Sequence, residues 1–287
     1  MQIKHTMRLA VHLHIYYTDM WNDIKVYLEN MKDYPYHLYV TLTKDNDKII
    51  QEIKKFHKNT TIYIVENRGY DVGGFVYFLN KIDLEQYDLI IKLHTKNRNG
   101  CETLINHRYI SRNDWYHLLF EGILGSNALF KKNIAKFEAN NDLGMIGSKY
   151  LITSNIKNCR EVKAGVQELM VKFGYSKPQT ITFVAGTMFI VRSHLLKQIK
   201  DGFCIGDFEI SNPNIKDGTL AHILERVFGC IVIAQGYRLN GYDKNSSIGC
   251  SSLLRTASNF VYRKKITKNN YLLIKIFKLP VYHRKLI

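Results

Sequence analysis

The chain is 287 residues long, 46% hydrophobic and 23% charged, with a formal net charge of +16. That mix excludes a disordered or fibrous chain and allows one large buried core, while the positive excess points to nucleic acid, an anionic membrane or a phosphorylated substrate as partner. Five scattered cysteines without a C-x-x-C pair argue against a disulfide frame or a zinc centre, and with no span-length apolar segment and no leader-like start they predict a cytoplasmic protein.

Residues 8–17 predict a strand, 19–31 a helix capped near Thr18 or Asp19, and "HLYVTLT" a second strand. A helix over 49–58, a third strand "TIYIVEN" and a glycine-opened helix "YDVGGFVYFLNKI" follow. Then comes "YDLIIKLHTKN", whose Leu89, Ile90 and Ile91 read as a strand buried on both faces. The alternation β-α-β-α-β-α-β predicts a parallel sheet flanked by helices, with ligands beyond the carboxyl ends of its strands. At one such end Lys92, His94 and Lys96 recur at every second position, so one face of the strand tip carries a row of nitrogen donors.

The loop "ENRGYDVGGF" lies at the next strand end. Asn67 and Arg68 close the third strand, Gly69, Gly73 and Gly74 let the backbone turn or approach a ligand, and Asp71 stands at the start of the helix. Arg68 suits a phosphate or a base and Asp71 a ribose or base edge, although a capped helix with a solvated arginine accounts for the same residues. Farther on, 114–124 and 127–140 predict helices and "LGMIGS" a short strand. "TITFVAGTMFIVRSHLLKQI" predicts a strand running into a helix, interrupted at Gly186, and "IKDGTLAHILERVFG" a helix with Asp217 as N-cap.

Five ordered motifs, "NRGYDVGGF", "YDLIIKLHTKN", the "DW" of Asp114 and Trp115, "FVAGTMFIVR" and "DGTLAHILERVFG", together resemble the rhamnan synthesis F family of bacterial cell-surface polysaccharide enzymes over about residues 8–242. The resemblance implies a glycosyltransferase A-like fold. It also implies transfer of a sugar, rhamnose or another hexose, from a nucleoside-diphosphate donor to a growing lipid-linked glycan such as O-antigen or capsule. Tyr70, Val184 and Ile190 depart from the Arg, Pro and Trp common there, so the donor sugar is not carried over.

Many such folds end the fourth strand in two aspartates that hold a dication against the donor diphosphate. Here the corresponding stretch runs from Lys92 to Lys96, which predicts neutralisation by side chains, no metal ligands, and a metal-independent enzyme, with Mg²⁺ or Mn²⁺ as the alternative. The expected donor-binding set is Asn67, Arg68, Gly69, Asp71, Lys92 and Lys96, with His94 orienting the donor sugar. Asp217 is the expected base toward the acceptor hydroxyl, equally readable as a helix cap. Gly186, Thr187 and His222 are the expected acceptor side.

Beyond Asp243 no acidic residue occurs, while basic and apolar residues interleave to the end. That predicts a catalytic domain over 1–245 and a basic amphipathic, helical tail over 246–287 that lies on the anionic inner face of the cell membrane. The competing readings are a nucleic-acid-binding module, for which no recognition signature appears, and a non-catalytic glycan-binding domain.

Overall fold

The computed structural model describes residues 7–98, 102–105, 108–154, 160–212, 214–215, 217–242, 261–266, 271–277 and 279–285. Its first half alternates strand and helix: β1 (Leu9–Ile15), α1 (Trp21–Leu28), β2 (Tyr36–Leu42), α2 (Asp47–Phe56), β3 (Thr60–Ile64), α3 (Tyr70–Lys81) and β4 (Leu89–His94). A small hairpin, β5 (Thr103–Ile105) and β6 (Arg108–Ile110), leads to α4 (Arg112–Leu124), α5 (Asn127–Ala139) and β7 (Leu143–Ser148). Then come β8 (Ile152–Thr153), α6 (Arg160–Lys172), β9 (Phe183–Val184), β10 (Phe189–Arg192), α7 (Lys197–Gly202), α8 (Leu220–Ala234) and β11 (Arg238–Tyr242).

Seven strands form one sheet in the order β11-β7-β10-β4-β1-β2-β3, parallel throughout except β10, which runs antiparallel to both β4 and β7. β1 and β4 are buried at every position, as central strands covered on both faces must be. Serine and asparagine oxygens start the helices: Asn46 caps α2, Ser111 caps α4 and Ser126 caps α5, each accepting from a backbone N–H in the first turn. α3, α7 and α8 pack together on the sheet, and α1, α4 and α5 form a second group flanking it.

The mostly parallel, helix-flanked α/β sheet is the architecture expected from the sequence. Three local expectations differ. The "TITFVAGTMFIVR" stretch is two strands in two sheets, because the backbone turns through positive φ at Gly186 and Thr187. The N-cap of α8 is Thr219 rather than Asp217: Gly218 takes φ +100° and carries the chain past Asp217, while Thr219 and His222 cap each other reciprocally. The helical tail is replaced by an antiparallel sheet, β12 (Tyr262–Ile266), β13 (Tyr271–Ile276) and β14 (Leu279–Lys285). Tyr271, Ile274, Ile276, Val281 and Tyr282 favour strands, and Pro280 cannot sit inside a helix. The boundary drawn near residue 245 lies outside the described residues, as do Cys101, Cys159 and Cys250; Cys204 and Cys230 are free thiols.

Candidate active site

The register of β1, β2 and β4 places His12 beside Lys92 and His14 beside His94 and Thr41. Side chains with period two therefore bring a row of polar groups to one face of the sheet, beneath α3. The Thr41 hydroxyl lies 2.9 Å from both His12 Nε2 and His14 Nδ1, so it donates to one ring and accepts from the other. Neither histidine was singled out from sequence, although "VHLHI" shows the same polar alternation inside a buried strand as "KLH".

Lys92 is fully buried, and its Nζ donates to Asp71 Oδ2 at 2.5 Å and to the Thr187 carbonyl and hydroxyl oxygens at 3.0 Å. Those three acceptors use all three ammonium protons. The expectation that Lys92 meets a donor diphosphate does not fit this placement: the amine is inside and already neutralised. Asp71 in turn accepts from the Thr187 hydroxyl at 2.5 Å and lies 3.7 Å from His94 Nε2, so its Oδ2 is occupied rather than open to a ribose. Burial favours a protonated Asp71, but the charges at His94, Lys92 and Lys96 outweigh it and hold the carboxyl well below the usual carboxylate range.

His94 places Nδ1 3.0 Å from the Thr95 carbonyl and Nε2 2.8 Å from the Gly186 carbonyl, an arrangement that only the imidazolium satisfies on both sides. Burial nevertheless pushes its pKa down to about 4 against the pull of Asp71. His14, buried beside it, is pushed to about 4 as well. Lys96, partly exposed at the rim, forms no ion pair among the described residues and is the cation of the "KLHTK" row that faces outward.

Gly186 and Thr187 close the floor in the turn before β10, at φ +83° and +53°. A Cβ at Gly186 would stand 2.6 Å from Leu119 Cδ2 and 3.2 Å from Trp115 Cζ2, so both its conformation and its neighbours require glycine. The Gly186 N–H donates to Glu225 Oε1 at 2.7 Å, so α8 fixes the turn from outside while Lys92, His94 and Asp71 fix it from inside. Glu225 also pairs with Arg226, through Oε2 at 2.8 Å.

Asp217 lies at the entrance to α8, with Oδ2 3.2 Å from Arg226 Nη2 and its side chain 29% exposed. His222 is held by Thr219 Oγ1 at 2.7 Å, lies 5.7 Å from the Tyr70 ring, and is shifted down by burial. Arg68 is committed locally: Nε donates to Glu66 and Nη1 to the Phe208 carbonyl. Gly69 packs under Phe208, and the Asn67 carbonyl accepts from Ser211 N–H, so residues 208–211 cover the loop expected to bind the donor. The structure thus unites Asp71, Lys92, His94, Gly186 and Thr187 in one floor, brings Lys96 to its rim, and turns the Asn67–Arg68–Gly69 backbone toward the 208–211 segment.

The sheet, mostly parallel and flanked by helices, carries a polar carboxyl edge. Residues 1–237 match the model of rhamnan synthesis protein F, and the chain belongs to that family. It is 26% identical over 244 residues to the uncharacterised protein WxcX of Xanthomonas campestris pv. campestris strain B100, and 27% over 251 residues to WxcX of strain ATCC 33913. Each match takes in 83% of this chain and 33% of the relative, so the chain spans about a third of the length of these relatives. Among solved structures, S. aureus TarS residues 1–349 is similar with a TM-score of 0.43 and 12% identity, covering 89% of this chain and 66% of that one. Glucosyl-3-phosphoglycerate synthase from Mycobacterium tuberculosis, solved with Mn²⁺, UDP and glucosyl-3-phosphoglycerate, is similar with a TM-score of 0.38 and 10% identity, covering 97% and 90%. Likenesses this loose say nothing about the chemistry of the site.

Proposed function

We propose that the chain is a nucleotide-sugar-dependent glycosyltransferase of bacterial surface polysaccharide assembly, moving rhamnose or another hexose onto a lipid-linked glycan. One observation carries the reading: four elements of a family member converge on a buried polar floor at the carboxyl edge of the parallel strands, where such sheets bind ligands. Lys96 at the rim supplies positive charge to the donor diphosphate, and His94 and Asp71 shape the floor beneath the donor sugar. Tyr16, 48% exposed at the end of β1 and edge-on to Tyr17, offers a face for the base.

Asp217 is the base toward the acceptor, its carboxylate keeping exposed edge beside Arg226, and His222 and the Gly186–Thr187 turn border the acceptor. The residues at the strand ends do not fit a dication: Asp71 is taken by Lys92 and Thr187, and the flanking positions are lysines and a histidine. No helix of the described residues is long and apolar enough to cross a membrane. A cytoplasmic site of action, with the anionic inner membrane surface as partner, agrees with a lipid-linked acceptor.

The test is a panel of nucleotide sugars and nucleoside diphosphates, scored for thermal protection and for slow donor hydrolysis. Protection and hydrolysis by one nucleotide class support the enzyme. Sugar binding without hydrolysis of any donor makes the chain a glycan-binding domain, and salt-dependent retention on DNA without nucleotide protection makes it a nucleic-acid-binding module.

A further inference from the structure

A three-stranded sheet is stable in water only when one face is buried. The sheet β12–β13–β14 leaves several apolar residues exposed. Of the thirteen large apolar residues exposed among the described ones, six lie here: Val261, Ile276, Phe277, Leu279, Val281 and Tyr282. They gather at one end, where Ile276 pairs with Leu279 and the Phe277 N–H donates to the Val261 carbonyl. Phe277 is 59% and Leu279 68% exposed, the two most exposed of these six. A contiguous exposed patch of this kind marks a surface that meets something apolar.

Charge selects the partner. Residues 261–285 contain eight lysines and arginines and no acidic residue. The register sets Arg263 opposite Lys275 along the β12–β13 ladder. An apolar tip within a purely basic surround matches a bilayer interface, with acyl chains for the tip and acidic headgroups for the rest. A protein groove would supply the first but has no reason to demand an unbroken run of one sign.

We infer that the β13–β14 turn is a wedge that enters an anionic lipid surface, with Phe277 and Leu279 as its inserting side chains. It deepens the membrane partner proposed above, yet lipid binding and nucleotide binding are read separately.

The experiment is sedimentation of the full chain with vesicles of phosphatidylcholine alone or mixed with phosphatidylglycerol, in wild type and in Phe277→Ser/Leu279→Ser. Nucleoside-diphosphate thermal protection runs in parallel. The wild type is expected to sediment with the mixed vesicles only, less so at high salt. The double variant should partition at least about ten-fold more weakly while its thermal midpoint and nucleotide protection stay as in wild type. Both positions are more than half exposed, and the thermal midpoint reports any loss of fold. Equal sedimentation of the variant, no wild-type binding to mixed vesicles, or equal binding to neutral vesicles would overturn the wedge. So would a wild-type dimer, seen by light scattering, that the variant loses without any change in lipid binding.

Discussion

The Lys92 amine and the Asp71 carboxylate meet at 2.5 Å, the lysine fully buried in β4 and the aspartate 17% exposed in the first turn of α3. A charge without access to water depends on its partner: removing one member of such a pair leaves the other unpaired in a low-dielectric setting. The two lysines of "KLHTK" therefore differ in setting, Lys92 buried in the floor and Lys96 partly exposed beside it.

Lys92→Ala is expected to destabilise the fold by about 3–5 kcal/mol, while Lys96→Ala changes stability by less than about 0.5 kcal/mol and weakens nucleoside-diphosphate binding. Urea unfolding at pH 7 with calorimetric titration of the nucleotide measures both. Equal stability of the two variants would remove the distinction.

Acid should weaken the fold in two stages. The folded pKa values of His14 and His94, about 4, lie below the unfolded value of about 6.5, so the unfolded chain takes up these protons first. Stability is complete above about pH 6.5 and falls toward pH 4 by on the order of 3 kcal/mol per histidine. Asp71, held low by its cationic neighbours against the effect of burial, adds a second loss that begins below about pH 4. A urea midpoint that stays level between pH 7 and pH 4.5 would contradict the first stage.

At the turn before β10, Gly186→Ala should cost about 1–3 kcal/mol, since the new methyl meets Leu119 and the positive φ disfavours it. Glu225→Ala should cost a similar amount, of order 1–3 kcal/mol, by leaving the Gly186 N–H unpaired. Glu225→Gln keeps an acceptor oxygen and should recover most of that loss. Thermal unfolding of the three variants decides the matter; a glutamine variant as weak as the alanine one would show that the Gly186 contact is not what counts.

Activity, once a donor is found, should persist in EDTA. A dication placed there would meet the free charge of Lys96 and no open carboxylate, Asp71 being committed to Lys92 and Thr187. Loss of turnover in EDTA with recovery on adding Mn²⁺ would reverse that expectation.

How far the sequence reached depends on the kind of contact. The row Lys92, His94, Lys96 was legible because strand periodicity is local, and the glycine break at Gly186 because glycine inside an apolar run is a local signal. What each group touches was not. Asp71 reaches Lys92 from another element, Glu225 reaches Gly186 from α8, and the 208–211 segment covers Arg68 from about 140 residues away. Asp217 and Thr219 compete for one cap, and only the backbone at Gly218 decides between them. His12 and His14 were legible in period but looked like ordinary members of an apolar strand until the register set them beside Lys92 and His94.

The floor draws on residues 71, 92, 94, 186, 187 and 225, so its hydrogen bonds link residues 21 to 116 positions apart. Contacts of such long range form late, because the entropy of closure comes before their reward. During synthesis β1 to β4 can collapse with α3, but the Lys92 ammonium then has one partner in place of three until the 186–187 turn arrives, and that turn waits for α8. A chain still being translated therefore has no finished floor until α8 docks.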